Sequence, residues 1–323
     1  MSGPVRPADL SDDPAQPGAP PGPPPELEVR PSRSTDVGGL QVRRALPQRG
    51  RRTVGAWCFA DHMGPKEVAP GSSVDIGPHP HIGLHTVTWL TAGELLHRDS
   101  LGSEQPIRPG QLNLMTAGRG VSHAEESTTY TGPLHGIQLW VAQPEATRNG
   151  PPAFEHHDGL PTAEVGGALA TVLVGAFGGV VSPARADTEL VGVDLQLTGG
   201  CSTPLVPTYE HALVVLEGAV SFGAHETTPD PGARDTRDEP VGPGNLVYLA
   251  TGHDELELRP VGRTRLLLLG GVPFESRLLM WWNFVARTRD EVDAATTEWN
   301  AGSERFGETG SPLPRIPAPG TPW

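Results

Sequence analysis

Two short stretches carry side chains that could hold a metal: Gly77-Pro78-His79-Pro80-His81-Ile82-Gly83, and Gly118-Arg119-Gly120-Val121-Ser122-His123-Ala124-Glu125. In an extended strand, successive side chains point to opposite faces, so residues two apart share a face. If both stretches are strands, His79, His81, His123 and Glu125 can offer three imidazoles and one carboxylate to a single point. That donor set suits a borderline divalent ion (Fe, Mn, Ni, Cu or Zn) and leaves coordination positions open for oxygen or substrate. Pro78 and Pro80 stiffen the presenting segment, and the glycines at 118 and 120 admit a close backbone approach. The competing reading is a scatter of unrelated loop histidines. Five of the 12 histidines fall from His79 to His123, and the two separate alternating pairs sit in one predicted domain, which favours the metal centre. His85, His97 and His135 are expected behind the ligands, in the core or at the surface, and Asp61 and His62 are expected to be structural.

The segments that must position these residues read as strands. Val87–Leu90, Gly136–Val141 and Ala170–Val174 are short, rich in Val, Leu and Thr, and separated by Gly and Pro turns, as in an all-β sandwich or barrel. A second series follows at Val191–Leu197, Ala212–Leu216, Asn245–Leu249 and Arg265–Leu269. Both series contain a strand closed by a Gly turn and a later Pro-Gly (109–110, 243–244) that opens another strand, so the pattern predicts a duplicated β-domain. The second copy has His211 and His253 but no H-x-H, and is expected to be metal-free. Near the end, Thr288-Arg289-Asp290-Glu291 has the form of a capping box; Val292, Ala295 and Trp299 repeat at helical spacing, and Gly302 can close the helix.

The ends differ in composition. Residues 1–27 are Pro-rich without apolar periodicity and predict a disordered tail, residues 224–240 predict a solvated loop, and residues 306–323 predict a second loose Pro-rich tail. The domains are then 28–150, carrying the metal site, and 151–305, carrying the helix, with their seam at about 145–160. A net charge of -14 with a pI near 5.3 argues against a phosphate-binding surface, so no direct nucleic-acid partner is expected. No basic segment followed by an apolar run opens the chain and none approaches a membrane span, which predicts a cytoplasmic protein with no membrane partner. The two cysteines, Cys58 and Cys201, are too few for a disulfide framework and read as buried small hydrophobes.

The runs G-P-H-P-H-I-G-L-H-T-V-T-W-L-T-A-G and R-P-G-Q-L-N-L-M-T-A-G-R-G-V-S-H-A-E resemble the pirin family of the cupin superfamily. So do R-R-T-V-G-A-W-C-F-A-D-H-M-G-P before them and G-G-V-P-F-E and M-W-W-N-F-V near the end, so the likeness spans about residues 40 to 305. The resemblance implies an all-β bicupin: two cupin-type β-barrels (double-stranded β-helices) packed together, with a short C-terminal helix. It also implies one metal in the N-terminal barrel, usually iron, on His79, His81, His123 and Glu125. His85 stands where the general cupin motif has Glu, and Ile82 stands where many pirins have a basic residue; neither change removes a pirin ligand.

Two functions from different classes follow from the resemblance. One is an Fe(II)-dependent flavonol (quercetin) 2,3-dioxygenase taking a flavonol-like small molecule and O2, in which Glu125 is the catalytic base for the flavonol 3-hydroxyl. The other is a redox-sensitive regulator that acts by protein–protein contact. A duplicated barrel already buries an internal face, so the chain is expected to be a monomer.

Overall fold

The structure, a computed structural model, describes residues 27–222 and 239–323. The expected N-terminal tail, apart from Leu27, and most of the expected 224–240 loop lie outside those residues. Glu28–Pro31 forms β1, followed by Arg33–Val37 (β2), Leu40–Leu46 (β3), Trp57–Val68 (β4), Ile76–His81 (β5) and Leu84–Ala92 (β6). Leu95–Asp99 (β7), Glu104–Ile107 (β8), Leu112–Thr116 (β9), Val121–Glu126 (β10), Gly132–Ala142 (β11) and Ala153–His157 (β12) come next. The chain divides into two compact units, each built of antiparallel sheets in a jelly-roll arrangement that matches the expected all-β cupin class.

In the first unit a seven-stranded sheet runs β12-β9-β6-β11-β4-β3-β2, and a four-stranded sheet runs β5-β10-β7-β8. Their inner faces meet where Trp140 of β11 sets its edge against His81 (ring centroids 5.2 Å apart) and Phe154 of β12 stacks on His97 (4.5 Å, 15°). Strand β5 is an edge strand, paired only with β10, which is where two prolines can be accommodated without breaking a ladder on both sides. Gly83, just beyond it, has φ +67°, and a Cβ there would lie 2.2 Å from the carbonyl oxygen of Val285, so only glycine admits this approach.

The second unit comprises residues 160–273 together with β1. Its large sheet includes all four strands expected from the second series, at Leu190–Leu197, Glu210–Glu217, Asn245–Leu249 and Thr264–Gly271. Alternating inward residues such as Val193, Leu195, Leu213, Val215, Val247, Leu266 and Leu268 make its core.

The chain route differs from the expected boundaries in two ways. Residues 274–323, helix included, belong to the first unit, because the helix buries Val292, Ala295 and Trp299 with Ile82 of that unit and with Trp281, Trp282, Phe284 and Phe306. The expected segment 306–323 has no regular structure, but it is not loose. Trp299 Nε1 donates to the Ile316 carbonyl (2.8 Å), Asn300 exchanges two hydrogen bonds with Ala318 (2.9 and 3.0 Å), and Ile316 N donates to the Pro78 carbonyl on the free edge of β5 (2.9 Å). Prolines removed the backbone donors that would mark an element, and side chains of the helix supply the tethers instead. The helix itself, Arg289–Asn300, starts as expected, with Thr288 Oγ1 accepting from Glu291 N (3.3 Å). Among the described residues no helix is long and apolar enough to cross a membrane.

Candidate metal centre

Strands β5 and β10 pair so that His79 lies opposite His123 and His81 opposite Val121, while β10 and β7 place Glu125 opposite His97 and His123 opposite Asp99. His79, His81 and His123 therefore share the inner face and converge: one ring nitrogen of each lies within 4.8 Å of the other two. The ring centroids are 4.4 to 5.1 Å apart, and all three side chains are buried. Glu125 is also buried and sits on the same strand face, past a register shift, but its carboxylate is not part of that tight group.

The outer nitrogens fix which atoms point inward. His79 Nδ1 lies 2.9 Å from the Gly77 carbonyl oxygen and His81 Nδ1 lies 3.0 Å from the Asn283 carbonyl oxygen. A carbonyl only accepts, so both Nδ1 atoms carry the hydrogen, and in the neutral ring each Nε2 keeps a lone pair. His123 takes the same form when its Nδ1 donates to His97 Nδ1, 3.4 Å away. His81 Nε2 and His123 Nε2 are 3.0 Å apart. Two nitrogens bound to one ion at ~2.1 Å, with an angle between tetrahedral and octahedral, would be about 3.0–3.4 Å apart, so this pair is already set for a shared cation. Lone pairs aimed at one another repel in the absence of a cation and are stabilised by one. The buried His79/His81/His123 group fits a single metal ion.

Protonation agrees with that reading. Burial pushes His79 down to about 4, and burial together with the neighbouring imidazoles holds His81 and His123 well below the ordinary histidine value. All three are neutral at neutral pH, the form in which a ring nitrogen can bind a metal. Behind them, Asp99 is held below the usual carboxylate range: burial alone would raise it, and the hydrogen bonds it accepts from His97 and Ser103 outweigh that cost.

The other histidines of the expected cluster go elsewhere. His85 Nδ1 meets Thr116 Oγ1 (2.9 Å), and His62 meets His135 (Nε2 to Nε2, 2.8 Å) beside Arg43. Asp61 forms a buried bidentate pair with Arg44, both bonds 2.8 Å. Asp61 and Arg44 also begin a polar row that the sequence did not reveal. Arg44, Asp61, Gln138, Thr88, Asn113 and His156 are successive cross-strand partners over six strands, on the same face as Trp140 and Phe154 and two residues from them along their strands. Thr88 donates to Gln138 (3.0 Å), His156 meets Asn113 Oδ1 (2.6 Å), and Asn113 Nδ2 has no hydrogen-bond partner among the described residues. The ring stacked on Phe154 belongs to His97, whose H-x-D spacing with Asp99 is the one sequence signal that could have singled it out.

The chain matches two family profiles, Pirin over residues 39–141 and the Pirin C-terminal cupin domain over residues 191–307. A Pseudomonas aeruginosa protein named provisionally as a quercetin 2,3-dioxygenase is 43% identical over 296 residues, covering 90% of each chain. A Pirin-like protein of Caulobacter vibrioides is 35% identical over 280 residues, 84% of this chain and 92% of that one. Among solved structures, a quercetin 2,3-dioxygenase from Acinetobacter baumannii superposes with a TM-score of 0.84 at 43% identity, covering 92% of this chain and 96% of that one. With profiles of both halves matched in order and relatives aligned over nearly their whole length, the chain belongs to the pirin family.

Proposed function

We propose that the first unit is a metal-dependent flavonol dioxygenase site that opens a quercetin-like ring with O2. In this reading His79, His81 and His123 hold one divalent metal, Fe(II) before Mn, Ni, Cu or Zn, and Glu125 completes the set as a weaker fourth ligand. The observation that carries it is the convergence of three buried imidazoles whose outer nitrogens are already engaged. The likeness to a quercetin 2,3-dioxygenase structure supports the substrate class. A metal bound there supplies Lewis-acid polarisation of the flavonol 3-hydroxyl and redox chemistry toward O2.

The protein's own groups do the rest. Glu125 takes the 3-hydroxyl proton on a carboxylate oxygen, a role that its place outside the tight imidazole group leaves open. Trp140 sets its ring against His81, Phe154 stacks on His97 behind His123, and the buried imidazoles are kept from water. The polar row lies two residues further along the same strands, roughly 7 Å away, and offers donors and acceptors to ring hydroxyls. The test is oxygen uptake by protein loaded anaerobically with Fe(II) and given quercetin, beside His81→Ala. Uptake that disappears in the variant is the expected result. No uptake with any flavonol despite stoichiometric iron overturns the assignment.

A further inference from the structure

We infer that His97, held by Asp99, is a positioning residue that fixes His123 in its metal-binding tautomer and joins the buried Asp99 charge to the metal. The inference rests on the reading that the three histidines bind a metal, and not on the identity of any substrate.

The chain of contacts starts at a backbone turn. Asp99 Oδ1 accepts from the amides of Leu101 (2.9 Å) and Ser103 (3.0 Å), which leaves Oδ2 to meet His97 Nε2 at 3.0 Å. An ionised carboxylate only accepts, so His97 Nε2 carries the hydrogen. In the neutral ring, His97 Nδ1 is then an acceptor, and the group facing it at 3.4 Å is His123 Nδ1. His123 must donate from Nδ1, and its Nε2 is left with the lone pair that faces His81 Nε2. At 3.4 Å the imidazole–imidazole bond is long, so its direction matters more than its strength. The His97 ring is clamped for that direction by its stack on Phe154. Asp99 and His97 are 1% and 5% exposed, so water does not replace either partner.

This arrangement makes one isosteric change informative. In Asp99→Asn, the Leu101 and Ser103 amides still require an oxygen at the Oδ1 position, so the new amide nitrogen faces His97. That nitrogen donates, which turns His97 Nε2 into the acceptor and puts the hydrogen on Nδ1, against the hydrogen of His123. His123 then carries its hydrogen on Nε2 and cannot ligate.

The experiment titrates Zn(II) into the metal-free full-length protein against a chelator of known affinity for wild type, Asp99→Asn and His97→Phe, which keeps a ring on Phe154. The coordinated imidazoles of the Cu(II) forms are counted by electron spin-echo spectroscopy, and thermal unfolding of the metal-free proteins monitors the fold. The expected result is a loss of Zn(II) affinity of roughly 10- to 100-fold in both variants, with two coordinated imidazoles in place of three in Asp99→Asn. Affinity within twofold of wild type in either variant, or three imidazoles still coordinated in Asp99→Asn, overturns the inference. If Asp99→Asn does not fold, the Zn(II) affinity of His97→Phe decides. A protein that binds Zn(II) as expected but consumes no oxygen with flavonols would count against the proposed activity and leave the relay standing.

Discussion

His81 Nδ1 lies 3.0 Å from the backbone carbonyl oxygen of Asn283, 202 residues further along the chain. The strand that carries two of the three imidazoles is thus oriented by a segment that arrives after the whole second unit. Asn283 sits between the short strands Leu279–Trp281 and Phe284–Ala286, and Val285 N donates to the Ile82 carbonyl (3.2 Å). The imidazole is oriented by backbone, so side-chain substitution at 283 is expected to matter less than displacement of the hairpin.

Trp299→Ala tests that dependence. Trp299 is 2% exposed, packs edge-on against Phe306 (5.7 Å) and holds the Ile316 carbonyl through its indole nitrogen. Truncation is expected to cost about 3–5 kcal/mol of stability in urea denaturation. Metal affinity is expected to fall with it, because the hairpin and the segment along β5 share that cluster.

Glu125→Gln separates binding from proton transfer. Three neutral imidazoles remain, so the variant is expected to retain stoichiometric metal by elemental analysis. Oxygen uptake with quercetin is expected to drop by roughly 10²- to 10⁴-fold, the usual contribution of a positioned base. Uptake within tenfold of wild type would remove Glu125 from the proton-accepting role.

The metal-free protein should lose stability in acid before its carboxylates titrate. His79 is at about 4 in the folded chain against an ordinary value near 6.5, so between those values the unfolded chain binds more protons. Stability therefore rises with pH across that window: it is complete above about 6.5 and declines as pH falls toward 4, by on the order of 3 kcal/mol for this group. His81 and His123, also held well below the ordinary histidine value, add to the loss in the same direction. Urea midpoints measured from pH 8 to pH 4 on metal-free protein should follow this slope, and metal release should follow the same window. A flat profile would mean that the imidazoles are not buried as neutral ligands.

The polar row offers a prediction of the opposite sign. Asn113→Leu removes a buried donor without a partner and the acceptor for His156. Asn113 Nδ2 has no partner to lose, and the partly exposed His156 keeps its Asp158 contact and can turn its other nitrogen to water, so the exchange costs little. The variant is expected to keep or gain thermal stability while raising KM for quercetin. An unchanged KM would assign the row to packing alone.

Most of the scaffold could be read from the residues because it is local. The Val, Leu, Thr and aromatic content of Val87–Leu90 and Gly136–Val141 reports strand directly, and His79/His81 and His123/Glu125 carry their own geometry at a spacing of two. What could not be read depends on register between distant strands. Nothing near His123 announces that Asp99 is its cross-strand neighbour, and nothing near His81 points to a carbonyl at 283. The segment after residue 305 was obscured for another reason: proline suppresses the periodicity that marks packed chain, and its order comes from Trp299, Asn300 and Arg315, which lays its guanidinium 3.7 Å over the Trp299 ring.

The return of residues 274–323 to the first unit has a consequence for biosynthesis. Domains usually fold in the order in which the ribosome releases them, N-terminal first. Here strands β2 to β12 leave the exit tunnel long before the hairpin, helix and Pro-rich strap that orient His81 and cover the edge of β5. The second unit has all its strands in hand by residue 273 and can finish first, although it lies later in the sequence. Assembly of the three-histidine centre is accordingly a late event in the life of the chain, and a nascent polypeptide arrested near residue 270 would present the histidines without the frame that aims them.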